Sequence, residues 1–162
     1  AKNIAIMRNH GQMTMLLHEV EGDNARMDAI QAAFLTIKLD HLETWNKERR
    51  ALAESYDIAF ESHERVRPVV ISPHNISSRH LYVIHVEDRD GFRTALTDRG
   101  VMTGLHYPVP LHLQPCYQHL GHKEGDFPNT EHSARTLLSL PIFPGMTENQ
   151  VARVIETVLE LA

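Results

Sequence analysis

Apolar positions recur at helical intervals through the first third of the chain. Met27, Ile30, Phe34, Ile37, Trp45 and Leu52, with His41 on the same stripe, are separated by threes, fours and one seven. No proline or glycine falls within 25–60, so the pattern predicts one long helix from Arg26 onward. About 30 residues at roughly 1.5 Å each span roughly 45 Å, a length suited to bridging two bodies. Ahead of it, residues 3–8 read as the last turns of a helix closed by Asn9-His10-Gly11, where glycine suits a left-handed cap. A helix end so near the first residue predicts that the chain begins inside a larger protein. Residues 12–24 follow neither the helical nor the strand period and read as a loop carrying Gly22, Asp23 and Asn24.

Beyond the long helix the pattern changes. Pro68–Ser72 and Leu81–Val86 are rich in valine and isoleucine and read as strands. Asp90–Arg99 reads as a helix capped by Gly100, and Val101–Leu105 as a further strand. Residues 106–125 form a long irregular stretch with Pro108, Pro110 and Pro115; loops of that length are usually functional when they are too apolar for disorder. Helices are predicted near 129–138 and 147–161, with Leu140–Phe143 between them and Pro144-Gly145 as punctuation. The fold class is therefore α/β, of the α+β kind: a small domain of a few mostly antiparallel strands packed by helices, fed by one long connecting helix. The division predicted is 1–24 as the remnant of a larger domain with a loop, and 25–162 as the linking helix plus the small domain.

Composition narrows the function. The chain has 162 residues, a formal net charge of -5 and 42% hydrophobic residues, which speaks against broad attraction to nucleic acid or an anionic membrane. Its apolar runs are too short for a membrane span and no signal-peptide core opens it. The single cysteine, Cys116, excludes an internal disulfide and suits a reducing cytoplasm. Asn75-Ile76-Ser77 matches a glycosylation sequon that nothing else supports. Twelve histidines invite a metal reading, but His112, Cys116, His119 and His122 lack the paired spacing of zinc motifs, and no metal site is assigned.

Three stretches in order carry a resemblance. The first is Gly22-Asp23-Asn24-Ala25-Arg26-Met27-Asp28-Ala29-Ile30-Gln31-Ala32-Ala33, continued by Leu42-Glu43-Thr44-Trp45-Asn46-Lys47-Glu48-Arg49-Arg50. The second is Thr103-Gly104-Leu105-His106-Tyr107-Pro108-Val109-Pro110-Leu111-His112. The third runs from Gly125-Asp126-Phe127-Pro128 to Leu138-Ser139-Leu140-Pro141-Ile142-Phe143-Pro144. Together they resemble the C-terminal portion of the DegT/DnrJ/EryC1/StrS sugar aminotransferases. The resemblance implies the C-terminal domain of a fold type I enzyme using pyridoxal 5'-phosphate (PLP), usually a cytoplasmic homodimer. Such enzymes move an amino group, often from glutamate, to a nucleotide-linked keto-sugar in deoxysugar biosynthesis. The stretch Leu105–His112 is similar to that of enzymes acting on dTDP-linked sugars.

The resemblance also implies that the cofactor-binding lysine precedes residue 1. Lys2 sits in the helix after the family's lysine motif, and Lys38, Lys47 and Lys123 offer no replacement, so no catalytic residue is assigned and the isolated chain is expected to be inactive. Asn24, in an asparagine motif that in the family reaches across the dimer, is expected at the cofactor phosphate; read without the family, it is a helix N-cap. Asp23 stands where many relatives carry tyrosine. Arg26 either neutralises the phosphate or pairs with Glu21 or Asp28. His106 and Tyr107, between a strand and a proline turn, are expected to contact the sugar nucleotide, with a structural pair as the alternative. His112 is a further candidate for that pocket. His18, flanking the first loop with His10, is a candidate substrate contact; His80 is given no role. Met27, Phe34 and Trp45 are expected in the core or an interface. Other readings of the chain are a stand-alone sugar-nucleotide-binding module and a dimerisation module.

Overall fold

The computed structural model describes residues 1–14 and 17–162. The chain divides into two compact units, Ala1–Glu43 and Thr44–Ala162.

In the first unit, helix α1 (Lys2–Met7) ends in a tight reversal in which His10 and Gly11 both take positive φ. The Gly11 amide donates to the Ile6 carbonyl at 3.0 Å. Gly11 and Gly22 lie back to back: a Cβ on Gly22 would stand 2.3 Å from the Gly11 nitrogen, and one on Gly11 would stand 1.6 Å from the Val20 carbonyl oxygen. Only glycine allows this approach. Residues 12–24, expected as loop, contain a short antiparallel pair, β1 (Gln12–Thr14) with β2 (Leu17–His18). Backbone pairing rather than side-chain periodicity makes these strands, so the pattern could not disclose them.

Helix α2 (Ala29–Phe60) is the long helix, and the division between units falls inside it. It starts at Ala29 rather than Arg26. Asp28 accepts a hydrogen bond from the Ile30 amide at 2.8 Å, as an N-cap does. Asn24 is therefore not the cap. Met27, Ile30, Phe34 and Ile37 are exposed, so Met27 and Phe34 are not part of this chain's core. Burial on α2 begins with Ala53, Tyr56 and Phe60.

The second unit is built on a three-stranded sheet in the order β3-β4-β5. Strand β3 (Arg67–Pro68) and β5 (Leu137–Leu140) both pair antiparallel with β4 (Tyr82–His85). Strand β3 is shorter than the run predicted to Ser72, although the Val69 amide still donates to Val83 O at 3.0 Å. Val101–Leu105 contributes a single bridge, Gly104 to Ser139, in place of a strand. Helix α3 (Arg89–Asp98) is capped by Asp88, whose side chain accepts from the Gly91 amide. Helix α4 (Pro128–Thr136) ends before β5, which takes residues expected to finish a helix. Helix α5 (Glu148–Leu161) opens with a reciprocal Thr147–Gln150 capping box. Two short 3-10 turns, Leu111–Leu113 and Pro115–Leu120, punctuate the irregular stretch after Leu105.

The core gathers Tyr56 and Phe60 of α2, Tyr82 and Ile84 of β4, Leu96 of α3, Leu138 and Leu140 of β5, and Val151, Val154 and Val158 of α5. Tyr56 satisfies its buried hydroxyl by donating to Pro141 O at 2.9 Å, and burial pushes its pKa up to about 12. Tyr82 donates to Asp57 Oδ1 at 2.8 Å, and Arg79 holds Asp57 Oδ2 at 2.6 Å. Among the described residues, no helix is long and apolar enough to cross a membrane.

Candidate functional site

In the first unit, backbone hydrogen bonds lace the loop before α2 to the end of α1. Asp23 N donates to Met7 O at 2.8 Å, His10 N to Asp23 O at 3.0 Å, and Ala25 N to Arg8 O at 2.9 Å. Asn24 sits in this lacing, bridged to Asn9. Its side chain is exposed, and its Oδ1 accepts from Arg26 Nε at 3.0 Å. Because a guanidinium can only donate, this bond fixes the amide orientation and leaves Asn24 Nδ2 as the free end. Among the described residues Arg26 makes no ion pair, with Glu21 and Asp28 included. The pair thus offers the Asn24 amide N–H groups and the remaining guanidinium N–H groups as donors, with one positive charge. His18 lies on β2, where its Nδ1 is 2.6 Å from His10 O and its Nε2 is 3.3 Å from Gln12 Nε2. A ring nitrogen facing a carbonyl must carry the proton, so Nε2 of a neutral ring accepts from the Gln12 amide.

In the second unit, the Gly104–Ser139 bridge carries the chain into His106. Gly104 N donates to Ser139 O at 3.0 Å and Ser139 N to Gly104 O at 2.9 Å. The His106 ring folds back over Gly104, where an added Cβ would lie 2.7 Å from Cε1. His106 Nδ1 is 2.9 Å from Ser139 Oγ, on a residue that is 4% exposed. One nitrogen is thus fixed from inside and the ring orientation is set. The Tyr107 ring meets it edge-on at 5.5 Å and is 73% exposed. Among the described residues its hydroxyl has no hydrogen-bond partner. Pro108, Pro110 and Leu111 continue from it along a cleft of about 380 Å³, closed on the other side by Thr130, Ser133 and Ala134 of α4.

His112 points inward. Its side chain is 8% exposed and its Nε2 is 2.9 Å from Glu131 Oε1, itself 5% exposed. Glu131 also accepts from the Gly125 amide at 3.0 Å and the Phe127 amide at 3.2 Å. The Gly125 amide, followed by that of Phe127 and by His112, holds its carboxyl below the ordinary value of 4.5. His85 of β4 hydrogen-bonds Thr136 Oγ1 at 2.8 Å through Nδ1 and stacks on His132 of α4 at 6.5 Å. Burial, then the neighbouring His132 and Arg67, lowers its pKa from 6.5.

These two groups make stability fall with acid. Each binds its proton more weakly in the folded state, so the unfolded chain protonates first. The His85 contribution is whole above 6.5 and is lost as pH falls from there through the folded value. That of Glu131 is whole above 4.5 and is lost below it in the same way. Thermal melts stepped downward from neutral pH should show Tm falling in these two windows, and His85→Asn should flatten the upper one. A Tm unchanged across both windows would contradict these assignments.

Ser139 and Glu131 carry no functional signal in the sequence beyond their place in the third quoted stretch. Their partners lie 33 and 19 residues away, so only the fold reveals them. Cys116 is exposed. Among the described residues no three His, Cys, Asp or Glu side chains gather as a metal ion would require.

The sequence profile of the DegT/DnrJ/EryC1/StrS aminotransferase family matches residues 1–159. The chain is 41% identical to the erythromycin biosynthesis sensory transduction protein EryC1 of Saccharopolyspora erythraea, covering 97% of this chain and 43% of that protein. It is 40% identical to dTDP-3-amino-3,4,6-trideoxy-alpha-D-glucose transaminase of Streptomyces venezuelae, over 100% of this chain and 43% of that one. Among solved structures, S. venezuelae DesV in complex with a ketimine intermediate superposes with a TM-score of 0.93 at 40% identity, covering 98% of this chain and 43% of DesV. A Brucella abortus aminotransferase of the same family superposes at 0.89 with 30% identity, over 98% of this chain and 42% of its own. The chain spans less than half the length of these relatives, and it belongs to the DegT/DnrJ/EryC1/StrS aminotransferase family, of which it forms a C-terminal portion.

Proposed function

We propose that this chain is the C-terminal portion of a cytoplasmic PLP-dependent aminotransferase that transfers an amino group from glutamate to a nucleotide-linked keto-sugar. The observation that carries the reading is the fixed His106–Tyr107 pair: one ring is held by Ser139 and the next is exposed with a free hydroxyl. It lies in a chain alignable throughout with a dTDP-sugar transaminase. His106 Nε2 and the Tyr107 hydroxyl can bind sugar hydroxyls or the diphosphate, because each is a polar tip on a rigid support. His112 belongs to the same loop. His18, whose ring is held between His10 and Gln12, is assigned to the substrate side of the first unit.

Asn24 and Arg26 fit the cofactor phosphate. The donors of this pair, one amide nitrogen and one charged guanidinium, suit a dianion. When bound, PLP supplies the electron sink for amino transfer. The lysine that holds PLP and moves the proton lies on polypeptide outside residues 1–162. Within this chain Asn24 and Arg26 bind and orient, and His106 and Tyr107 place the sugar. The exposed Ile30, Phe34 and Ile37 of α2 support a homodimer in the complete protein, since such a row is costly to leave in water.

A second reading, a stand-alone sugar-nucleotide-binding module, is favoured by the core that residues 44–162 possess by themselves. The two separate in one assay. The product of the complete open reading frame, given PLP, glutamate and a dTDP-linked keto-sugar, is expected to release 2-oxoglutarate beyond one equivalent per bound PLP only when the sugar is present. Saturable sugar-nucleotide binding without 2-oxoglutarate would favour the module instead.

A further inference from the structure

Glu131 gathers three bonds from two ends of one irregular segment. His112 reaches it from the end that follows the proline turn, and the Gly125 and Phe127 amides reach it from the other. The carboxylate is buried, and each partner supplies an N–H. Its neighbour Thr130 lines the cleft beside Tyr107, and the neighbour of His112, Leu111, lines it from the facing side. The bond from His112 to Glu131 therefore ties together two residues whose chain neighbours line that cleft. Without it, the His112 end of the segment would keep its 3-10 turns and its ring contact with Phe127, while the far end stays held by the Gly125 amide on Glu131 and the Lys123 amide on Asp126.

We propose that Glu131 is a positioning residue for the ligand-facing segment Tyr107–Leu111, and that His112 serves this latch rather than touching the ligand. The ligand half of this inference rests on the sugar-nucleotide reading above; the latch itself does not. Glutamine keeps an N–H donor near the position of the imidazole Nε2, so His112→Gln preserves the latch while deleting the imidazole. His112→Ala and Glu131→Gln break or weaken it.

Amide hydrogen exchange on the 162-residue chain reads the latch directly. The reporters are Gly125 and Phe127, bonded to Glu131, and Leu113 and Gln114, whose amides donate to Pro110 O and Leu111 O. Exchange at all four is expected to accelerate about tenfold in Glu131→Gln, the loss of one charge-assisted bond. Leu113 and Gln114 should respond likewise in His112→Ala, while His112→Gln stays close to the parent. The β4–β5 amides serve as the internal reference and should hold in every variant. The proposal is overturned if His112→Gln behaves as His112→Ala does, if Glu131→Gln leaves the four reporters unchanged, or if β4–β5 loosens equally. Titration with dTDP-glucose, on the complete protein, judges the ligand half: affinity should fall with His112→Ala and recover with His112→Gln. A parent protein that fails to bind dTDP-glucose while the exchange pattern holds would count against the sugar-nucleotide reading and leave the latch established; an imidazole needed for binding even with the latch intact would refute the role given to His112.

Discussion

Shortening Leu138 to alanine is expected to destabilise the chain by about 2–5 kcal/mol, the range for deleting a fully enclosed leucine side chain. Leu138 is 0% exposed and faces Ile84 across the β4–β5 pairing. Core side chains from α2, α3 and α5 gather with this sheet, so the cavity would open where collapse from one side is blocked by the others. Urea melts should show the midpoint moving down with the slope unchanged. Ile58→Ala supplies the contrast: Ile58 is 71% exposed on α2, and its loss should fall within about 0.5 kcal/mol of neutral. Similar costs for the two substitutions would mean that β5 is not at the centre of this core.

Adding one methyl group at Gly104 is expected to impair sugar-nucleotide use about tenfold, the worth of one well-placed hydrogen bond to a charged ligand. The new Cβ would meet His106 Cε1 at 2.7 Å, and the ring, being the mobile partner, must swing away from Ser139 Oγ. No group that touches ligand is deleted. The effect should therefore match that of His106→Ala in kcat/KM of the complete protein while Tm hardly moves. Gly104 has no positive φ, so the backbone itself tolerates alanine. A Gly104→Ala protein with unaltered kinetics would show that the orientation of His106 is unimportant to the ligand.

Both effects turn on features that the sequence discloses unequally. Helices α2, α3 and α5 are legible because long periodic runs and caps such as Asp88 and the Thr147–Gln150 pair are local signals. Strand β5 is not: Leu137–Leu140 is a short apolar run following a helix, and periodicity cannot separate a buried strand from a helix end. Val70–Ser72 and Val101–Leu105 have strand-forming residues but lack a full neighbour, so propensity is overruled by pairing. The site divides along the same line. His106 and Tyr107 are legible as polar residues before a proline turn. Ser139 of β5, which holds the His106 ring, and Glu131 of α4, which holds His112, depend on tertiary approach. The inward turn of His112 follows from Glu131 and is equally invisible in a linear reading.

One polypeptide holding the cofactor's lysine and another stretch, this one, holding its phosphate and the sugar is the claim on which the account stands. The direct measurement is the visible absorbance of PLP added to the product of the complete open reading frame, beside the same addition to residues 1–162. The account predicts a lysine-bound cofactor band in the complete protein that survives dialysis and is removed by replacing a lysine outside these residues, with nothing beyond free PLP in the 162-residue chain. A complete protein that never retains PLP, or a band that depends on Lys2, Lys38, Lys47 or Lys123, would contradict it.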